Sequence, residues 1–183
     1  MIRTPEQTLG PFFPPRFADP GANDLTVLDG RCARGEPIEI HGVVTEEGGA
    51  ALENLIVEIW QTDAAGIYRH PLDPRHREAD PDFLGWGRAA TDREGRYSFR
   101  TIRPGAPAGR APHVNVMLMY SGLMRILKTA LFFEDAAENG TDPVLLAVPA
   151  ERRALLIARR EAPGRYRFDI RLRGEGETPF FAD

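Results

Sequence analysis

The sequence predicts an all-β fold, a sandwich or a barrel, for most of the chain. Three observations carry this. From Pro37 onward, apolar residues recur in short runs with a two-residue period. That is the period of a strand, whose successive side chains point to opposite faces. The runs are separated by turns such as Glu46-Glu47-Gly48-Gly49 and Asp92-Arg93-Glu94-Gly95. Only one stretch, Pro149 to about Arg160, reads as a helix. Short strands at regular intervals between turn signals are the mark of such folds.

In chain order, residues 1–35 read as an arm. Pro5, Pro11, Pro14, Pro15 and Pro20 deny it a helix or a central strand. Phe12, Phe13 and Phe17 need a surface to cover, which argues against a solvated leader. Residues 36–183 read as the β core of a single domain, without internal repeats. Ile38, Ile40 and Val43-Val44 make its first strand. Leu55–Trp60 is the second, with Leu55, Val57 and Ile59 opposite Ile56, Glu58 and Trp60. Arg96–Ile102 follows, with Tyr97 and Phe99 on one face. His113–Tyr120, Ile126–Phe133 and Tyr166–Arg173 complete the set. In the helical stretch, Pro149 suits a first turn, Leu155, Leu156 and Ile157 are apolar, and Arg159-Arg160 favour the negative C-terminal end.

Composition narrows the function classes. With 183 residues, 42% of them hydrophobic, the chain can bury one full core. A net charge of −4 and scattered arginines give no reason to expect a nucleic-acid partner. Cys32 is the single cysteine, so no intrachain disulfide forms and a reducing compartment is expected. No apolar run approaches the roughly 20 residues of a membrane helix, and Met1–Gln7 lacks a signal-like apolar core. A cytoplasmic location is the expectation.

Four segments carry chemistry. In Arg110-Ala111-Pro112-His113-Val114-Asn115, His113 and Asn115 are two apart on a strand and share a face. Val57-Glu58-Ile59, six residues, then Gly66-Ile67-Tyr68 runs a core strand into a glycine turn that presents a phenol. Taken alone, a tyrosine in such a turn more often packs or bonds locally. Thr101-Ile102-Arg103-Pro104-Gly105-Ala106-Pro107 is the third segment, and Tyr166-Arg167-Phe168-Asp169-Ile170 with the tail to Phe181 is the fourth. His41, His70 and His76 lack paired-ligand spacing and read as surface or turn residues. Asp73-Pro74 and Asp80-Pro81 read as turn formers. No Ser-His-Asp set, phosphate loop or zinc spacing stands out.

Together these segments, from Thr4 to Phe181, resemble the intradiol ring-cleaving dioxygenases, and most closely the α type of chain found in their hetero-oligomeric members. The resemblance implies a two-sheet β-sandwich of the transthyretin-like, Greek-key type, with an extended N-terminal arm and one or two short helices. In the catalytic chains of that family, two tyrosinates and the two histidines of Arg-x-x-His-x-His bind ferric iron. Tyr68, Arg110 and His113 match that pattern. Pro107 stands at the second tyrosine and Asn115 at the second histidine. Proline has no donor atom, and an amide oxygen is a poor ligand for a hard trivalent cation. The resemblance therefore implies no catalytic residue and no metal ligand set here, with Fe(III) bound by a partner β subunit. The reaction implied is cleavage of 3,4-dihydroxybenzoate by O2 to 3-carboxy-cis,cis-muconate. Gly10, Pro11 and Phe12 would help wall the partner's pocket. Ala130 stands where family members carry Gln or Arg, and Lys128, on the same strand face, is the candidate cation for the aromatic acid. The alternatives are a self-sufficient intradiol enzyme with substitute ligands, a non-enzymatic transthyretin-like binding module, and an α-like chain without a partner.

Overall fold

The computed structural model describes residues 13, 14, 17, 19 and 21–181. Two short strands, β1 (Val27–Leu28) and β2 (Arg31–Cys32), form a hairpin across Asp29 and Gly30. Both turn residues have positive φ, 51° and 77°, as a two-residue hairpin turn requires. This hairpin lies in the segment read as an arm, and so does Leu25, which is buried and bonds through its amide to the Arg100 carbonyl. Gly10, Pro11 and Phe12 lie outside the described residues.

The main sheet has nine strands among the described residues. They are β3 (Pro37–Thr45), β4 (Ile56–Gln61), β5 (Trp86–Ala90), β6 (Arg96–Ile102), β7 (His113–Met119), β8 (Leu127–Phe133), β9 (Ile157–Ala162), β10 (Arg165–Arg167) and β11 (Ile170–Arg171). Their order is β11-β3-β10-β9-β8-β7-β4-β5, with β6 also paired to β3. β8 runs parallel to β9, and β3 runs parallel to β10 and β11; the other pairs are antiparallel. β5 and β6 are consecutive in the chain, joined through a turn at Asp92 and Gly95, so the sheet nearly closes like a barrel.

Inward-facing residues make one main core. Ile38, Ile40 and Val44 of β3 meet Val57 and Ile59 of β4, Val114, Val116 and Leu118 of β7, and Leu131 and Phe133 of β8. The two-residue period appears plainly in β3 and β6, which have one open face. It is blurred in β4 and β8, which are buried on both faces. A second cluster covers the outer face of β7 and β8, where Ala130 and Phe132 pack with Ala111, Leu145, Val148 and Leu156. No helix among the described residues is long and apolar enough to cross a membrane.

The structure corrects two expectations. The helix expected over Pro149–Arg160 is a 3-10 segment, Ala150–Leu156, followed directly by β9. Ile157 and Ala158 pair with Phe132 and Phe133, so tertiary pairing takes the residues that local pattern assigned to a helix. A short helix, α1 (Pro143–Ala147), precedes it, capped by Asp142 with proline in the first turn. The strand expected over Tyr166–Arg173 is split into β10 and β11. At the split, the Phe168 amide donates to the His41 carbonyl and the Phe168 carbonyl accepts from the Tyr97 hydroxyl at 2.6 Å.

That carbonyl rests on Gly42, where an added Cβ would lie 1.9 Å from the Phe168 oxygen. Backbone cannot yield as a side-chain tip can. Gly42→Ala is expected to cost about 3 kcal/mol, the upper end for overpacking. Urea unfolding measures it, and an unchanged midpoint would show that the β3–β10 junction can open at no cost.

Candidate functional site

The outer face of β7 carries His113, Asn115 and Met117, because Val114, Val116 and Leu118 take the core side. Register sets their neighbours: Trp60 of β4 and Ala130 of β8 flank Asn115, while Phe132 lies opposite His113. Tyr68 reaches this face from the loop after β4. The Asp63 carboxylate builds that loop, with Oδ1 accepting from the Ala65 and Ile67 amides at 2.9 and 3.0 Å. Its Oδ2 accepts from the Asp80 amide at 2.8 Å. The Asp63 carbonyl accepts from the amides of Gly66 and Gly105. Asp73, in turn, receives the Tyr68 amide at 3.0 Å.

Gly66 lets the two chemistry-bearing segments touch. Its φ is +75°, and a Cβ there would lie 2.2 Å from the Ala106 carbonyl oxygen. The contact sets Pro107 beside Tyr68 along one cleft of about 880 Å³. Trp60, His70, Asn115, Met117, Lys128 and Phe181 also line it. Trp60 stands edge-on to Tyr68 and to His70, each with centroids 5.4 Å apart.

Within the cleft the polar groups bond to one another in a directed chain. The Asn115 amide donates to the Trp60 carbonyl at 3.1 Å and to the Tyr68 oxygen at 3.0 Å. The Tyr68 hydroxyl lies 3.2 Å from His113 Nε2, and His113 Nδ1 lies 2.8 Å from the Ala111 carbonyl. A carbonyl only accepts, so Nδ1 carries the proton and Nε2 accepts from the phenol. Burial pushes the Tyr68 phenol up, and the Asn115 bond and the Arg110 charge offset this only in part. Burial likewise pushes the His113 imidazole down. The pair is thus a neutral phenol donating to a neutral imidazole. That is the reverse of the tyrosinate an iron site uses.

Arg110 does not enter this chain of bonds. Its Nε donates to Asp142 at 2.7 Å. Asp142 is buried and also receives the amides of Ala111, Val144 and Leu145. Burial alone would raise the Asp142 carboxyl, but Arg110 and the Leu145 and Ala111 amides more than reverse this and hold it below the usual carboxylate range. Among the described residues, no group of three or more His, Cys, Asp or Glu side chains converges as a metal site would need.

The structure thus brings Tyr68, Pro107, Asn115 and Lys128 to one cleft, with His113 buried behind Tyr68, and sets Arg110 aside on Asp142. Sequence reasoning missed Trp60, His70, Asp63 and Asp142. Trp60 could have been found from its place on the non-core face of its strand. Asp142-Pro143 is a helix-cap signal in the sequence. His70, read as a surface or turn residue, packs its ring on Trp60. A second cleft, of about 680 Å³, lies over the outer faces of β3 and β6. Its arginines are engaged: Arg88 with Glu58, Arg96 with Asp92, Arg165 with Glu39 and Arg167 with Asp169.

Comparison with known proteins places this geometry. The dioxygenase domain of a dioxygenase–carbohydrate-binding protein fusion from Streptomyces sp. SirexAA-E superimposes with a TM-score of 0.63 at 27% identity, covering 96% of this chain and 99% of that one. The fold is therefore that of a dioxygenase domain. The family profile described as Dioxygenase matches residues 8–174. The protocatechuate 3,4-dioxygenase α chain of Burkholderia cepacia is 39% identical over 195 residues, 99% of this chain and 98% of its own length. The β chain of the same enzyme is 38% identical over 183 residues, 87% and 77% of the two lengths. The chain belongs to the intradiol ring-cleaving dioxygenase family.

Asp142 sets a pH dependence. Its lowered pKa means that the folded chain keeps this carboxylate charged at lower pH than the unfolded chain does. Its contribution is complete above about pH 4, the ordinary carboxylate value, and is lost as pH falls through the depressed value. Asp142→Asn is expected to cost about 3 kcal/mol at neutral pH, because Arg110 loses its buried partner. The difference from the parent should narrow below about pH 4. Urea unfolding at both pH values measures it, and an equal gap at both would refute the assignment.

Proposed function

We propose that this chain is the α subunit of a hetero-oligomeric protocatechuate 3,4-dioxygenase, which cleaves 3,4-dihydroxybenzoate with O2 to 3-carboxy-cis,cis-muconate. Near-complete overlap with an α chain at 39% identity supports the assignment. The related β chain of the same enzyme supports a β subunit as the partner. One observation carries the division of labour. The Asn115 amide donates to Tyr68, and Tyr68 is placed to spend its proton on His113. With proline at 107, this donor set does not fit ferric iron, so Fe(III) is assigned to the β subunit. The ring-cleaving chemistry then belongs to the partner, and this chain supplies a rigid related scaffold against it.

On the same reading the chain is one domain, with an interface arm over residues 1–35 and a β core over 36–183. The single main core that runs from Leu25 to Ile170 supports this. The architecture is a two-sheet sandwich of the Greek-key type, β5-β4-β7-β8 facing β6-β3-β10, with β9 shared between them. The inward residues of both sets pack in one cluster, which supports that description. The lone, exposed Cys32 supports a reducing, cytoplasmic setting.

A preparation of this chain alone should be colourless and free of stoichiometric iron. Metal analysis with a visible spectrum tests it, and one iron per chain with a visible band would favour the self-sufficient enzyme instead. In the assembled enzyme, Tyr68→Phe and His113→Ala should leave turnover within about threefold, since neither would touch the reacting atoms. A loss of about a thousandfold with the fold intact would put the chemistry here.

The arm is assigned to the partner's substrate pocket through Gly10, Pro11 and Phe12. Removing residues 1–12 from the assembled enzyme should raise KM for 3,4-dihydroxybenzoate while kcat falls less, the signature of lost ground-state binding. An unchanged KM in an intact complex would exclude the arm from that pocket.

A further inference from the structure

We propose that Arg88 is the anchor that positions the N-terminal arm, holding it through Phe17 on the outer face of β5. β5 pairs with β4 and β6 pairs with β3, and no ladder joins β5 to β6 among the described residues. The chain before β1 spans that seam. The Ala22 carbonyl accepts from the Arg88 amide at 2.9 Å, and the Asn23 carbonyl accepts from the Arg100 amide at 2.9 Å. The Leu25 amide returns to the Arg100 carbonyl at 2.8 Å, and the Leu25 side chain enters the main core. Gly87 marks where the segment lies on β5. A Cβ there would be 2.4 Å from Leu25 Cδ1 and 3.0 Å from the Ala22 carbonyl oxygen.

From Leu25 back to Ala22 the backbone does the fastening. Ahead of Ala22 the fastening passes to side chains. Arg88 is itself gripped: its Nε donates to Glu58 Oε1 at 2.6 Å, and its Nη2 meets the same oxygen. The Arg88 and Glu58 side chains are only 15% and 11% exposed, so the guanidinium does not swing into solvent. Held by its edge, a planar guanidinium still has its faces to offer. It lies 3.8 Å from the centroid of the Phe17 ring and 5.0 Å from that of Trp86. Trp86 and Arg88 are two apart on β5 and share a face.

Phe13 extends the stack. Its ring lies on Phe17 with centroids 5.6 Å apart and planes 23° apart. The Phe17 amide donates to the Pro14 carbonyl at 2.8 Å, which closes the turn between the two rings. Phe13, Phe17, Arg88 and Trp86 thus form one stack that Glu58 braces. A cation held against ring faces out of water attracts them more strongly than an exposed one. On the reading that Gly10, Pro11 and Phe12 wall the partner's pocket, this latch sets where that wall begins. Three residues of chain span at most about 10 Å, so Phe13 limits where Gly10 reaches. Arg88 then acts on substrate binding through the arm and without touching substrate.

The test uses the assembled enzyme and two readouts, amide hydrogen exchange over residues 12–17 and steady-state kinetics. Phe17→Leu keeps apolar bulk and removes the ring face. Exchange over the segment should quicken about tenfold. KM for 3,4-dihydroxybenzoate should rise about fivefold, with kcat within about twofold. Phe17→Tyr keeps the ring and should match the parent in both readouts. Arg88→Ala would strand the buried Glu58 charge and endanger the fold. The cation is therefore removed together with its partner, as Arg88→Met with Glu58→Gln. That double variant should behave like Phe17→Leu and add nothing when combined with it, as expected for residues acting through one contact. Unchanged exchange in Phe17→Leu, or equal acceleration in Phe17→Tyr, would overturn the latch. Faster exchange in Phe17→Leu with an unchanged KM would sustain the latch and remove the arm from the partner's pocket.

Discussion

One buried carboxylate underlies the arrangement of the functional face. Asp63 accepts three backbone amides through its two oxygens and two more through its carbonyl. Those amides belong to the 65–67 turn, to Asp80 and to Gly105. The amides of Ala65, Ile67 and Asp80 would be unsatisfied donors if the carboxylate were lost, and such donors cost about 1–3 kcal/mol apiece when buried. The bonds do more than stabilise. They hold the loop that carries Tyr68 and the segment that carries Pro107 at backbone contact across Gly66. The geometry of the cleft follows from that contact.

The strand period does the rest. β7 must turn Val114, Val116 and Leu118 into the core, so His113, Asn115 and Met117 have only the outer face available. That face is divided. Toward Phe132 it is closed by the Leu145, Val148 and Leu156 cluster, which Asp142 anchors by capping α1. Toward Trp60 it stays open as the cleft. Arg110 sits at the division and is drawn to the buried Asp142 charge. A guanidinium committed there holds the buried carboxylate in place.

At the positions that the resemblance matches to an iron site, the structure shows hydrogen bonds between neutral side chains. An amide in place of an imidazole is both a donor and an acceptor. At 115 it uses its donors on Tyr68 and Trp60. That bond favours the phenolate slightly, but burial dominates and raises the phenol. The buried imidazole, with its Nδ1 proton on Ala111, takes the phenol proton's hydrogen bond. The result is a network of neutral groups bonded to one another.

Much of this protein was legible in the order of its residues. Arg96–Ile102 formed over the limits the alternation set, and His113–Met119 and Leu127–Phe133 within a residue of theirs, because two-residue periodicity and turn residues are local properties. The position of Tyr68 after a glycine turn and the shared face of His113 and Asn115 are local too. Other features came from pairing and burial between distant segments. β5, a Trp-Gly-Arg-Ala-Ala stretch without alternation, exists because β4 offers it a ladder. The Pro149–Arg160 segment gave up its helix because β8 captured Ile157 and Ala158. The Asp80 amide that Asp63 accepts and the Arg110 guanidinium that Asp142 holds come from segments well away in the chain. The sequence by itself determined which side chains exist and which way each strand turns them. Only the tertiary structure decided which donor met which acceptor, since those partners lie tens of residues apart and nothing local encodes their meeting.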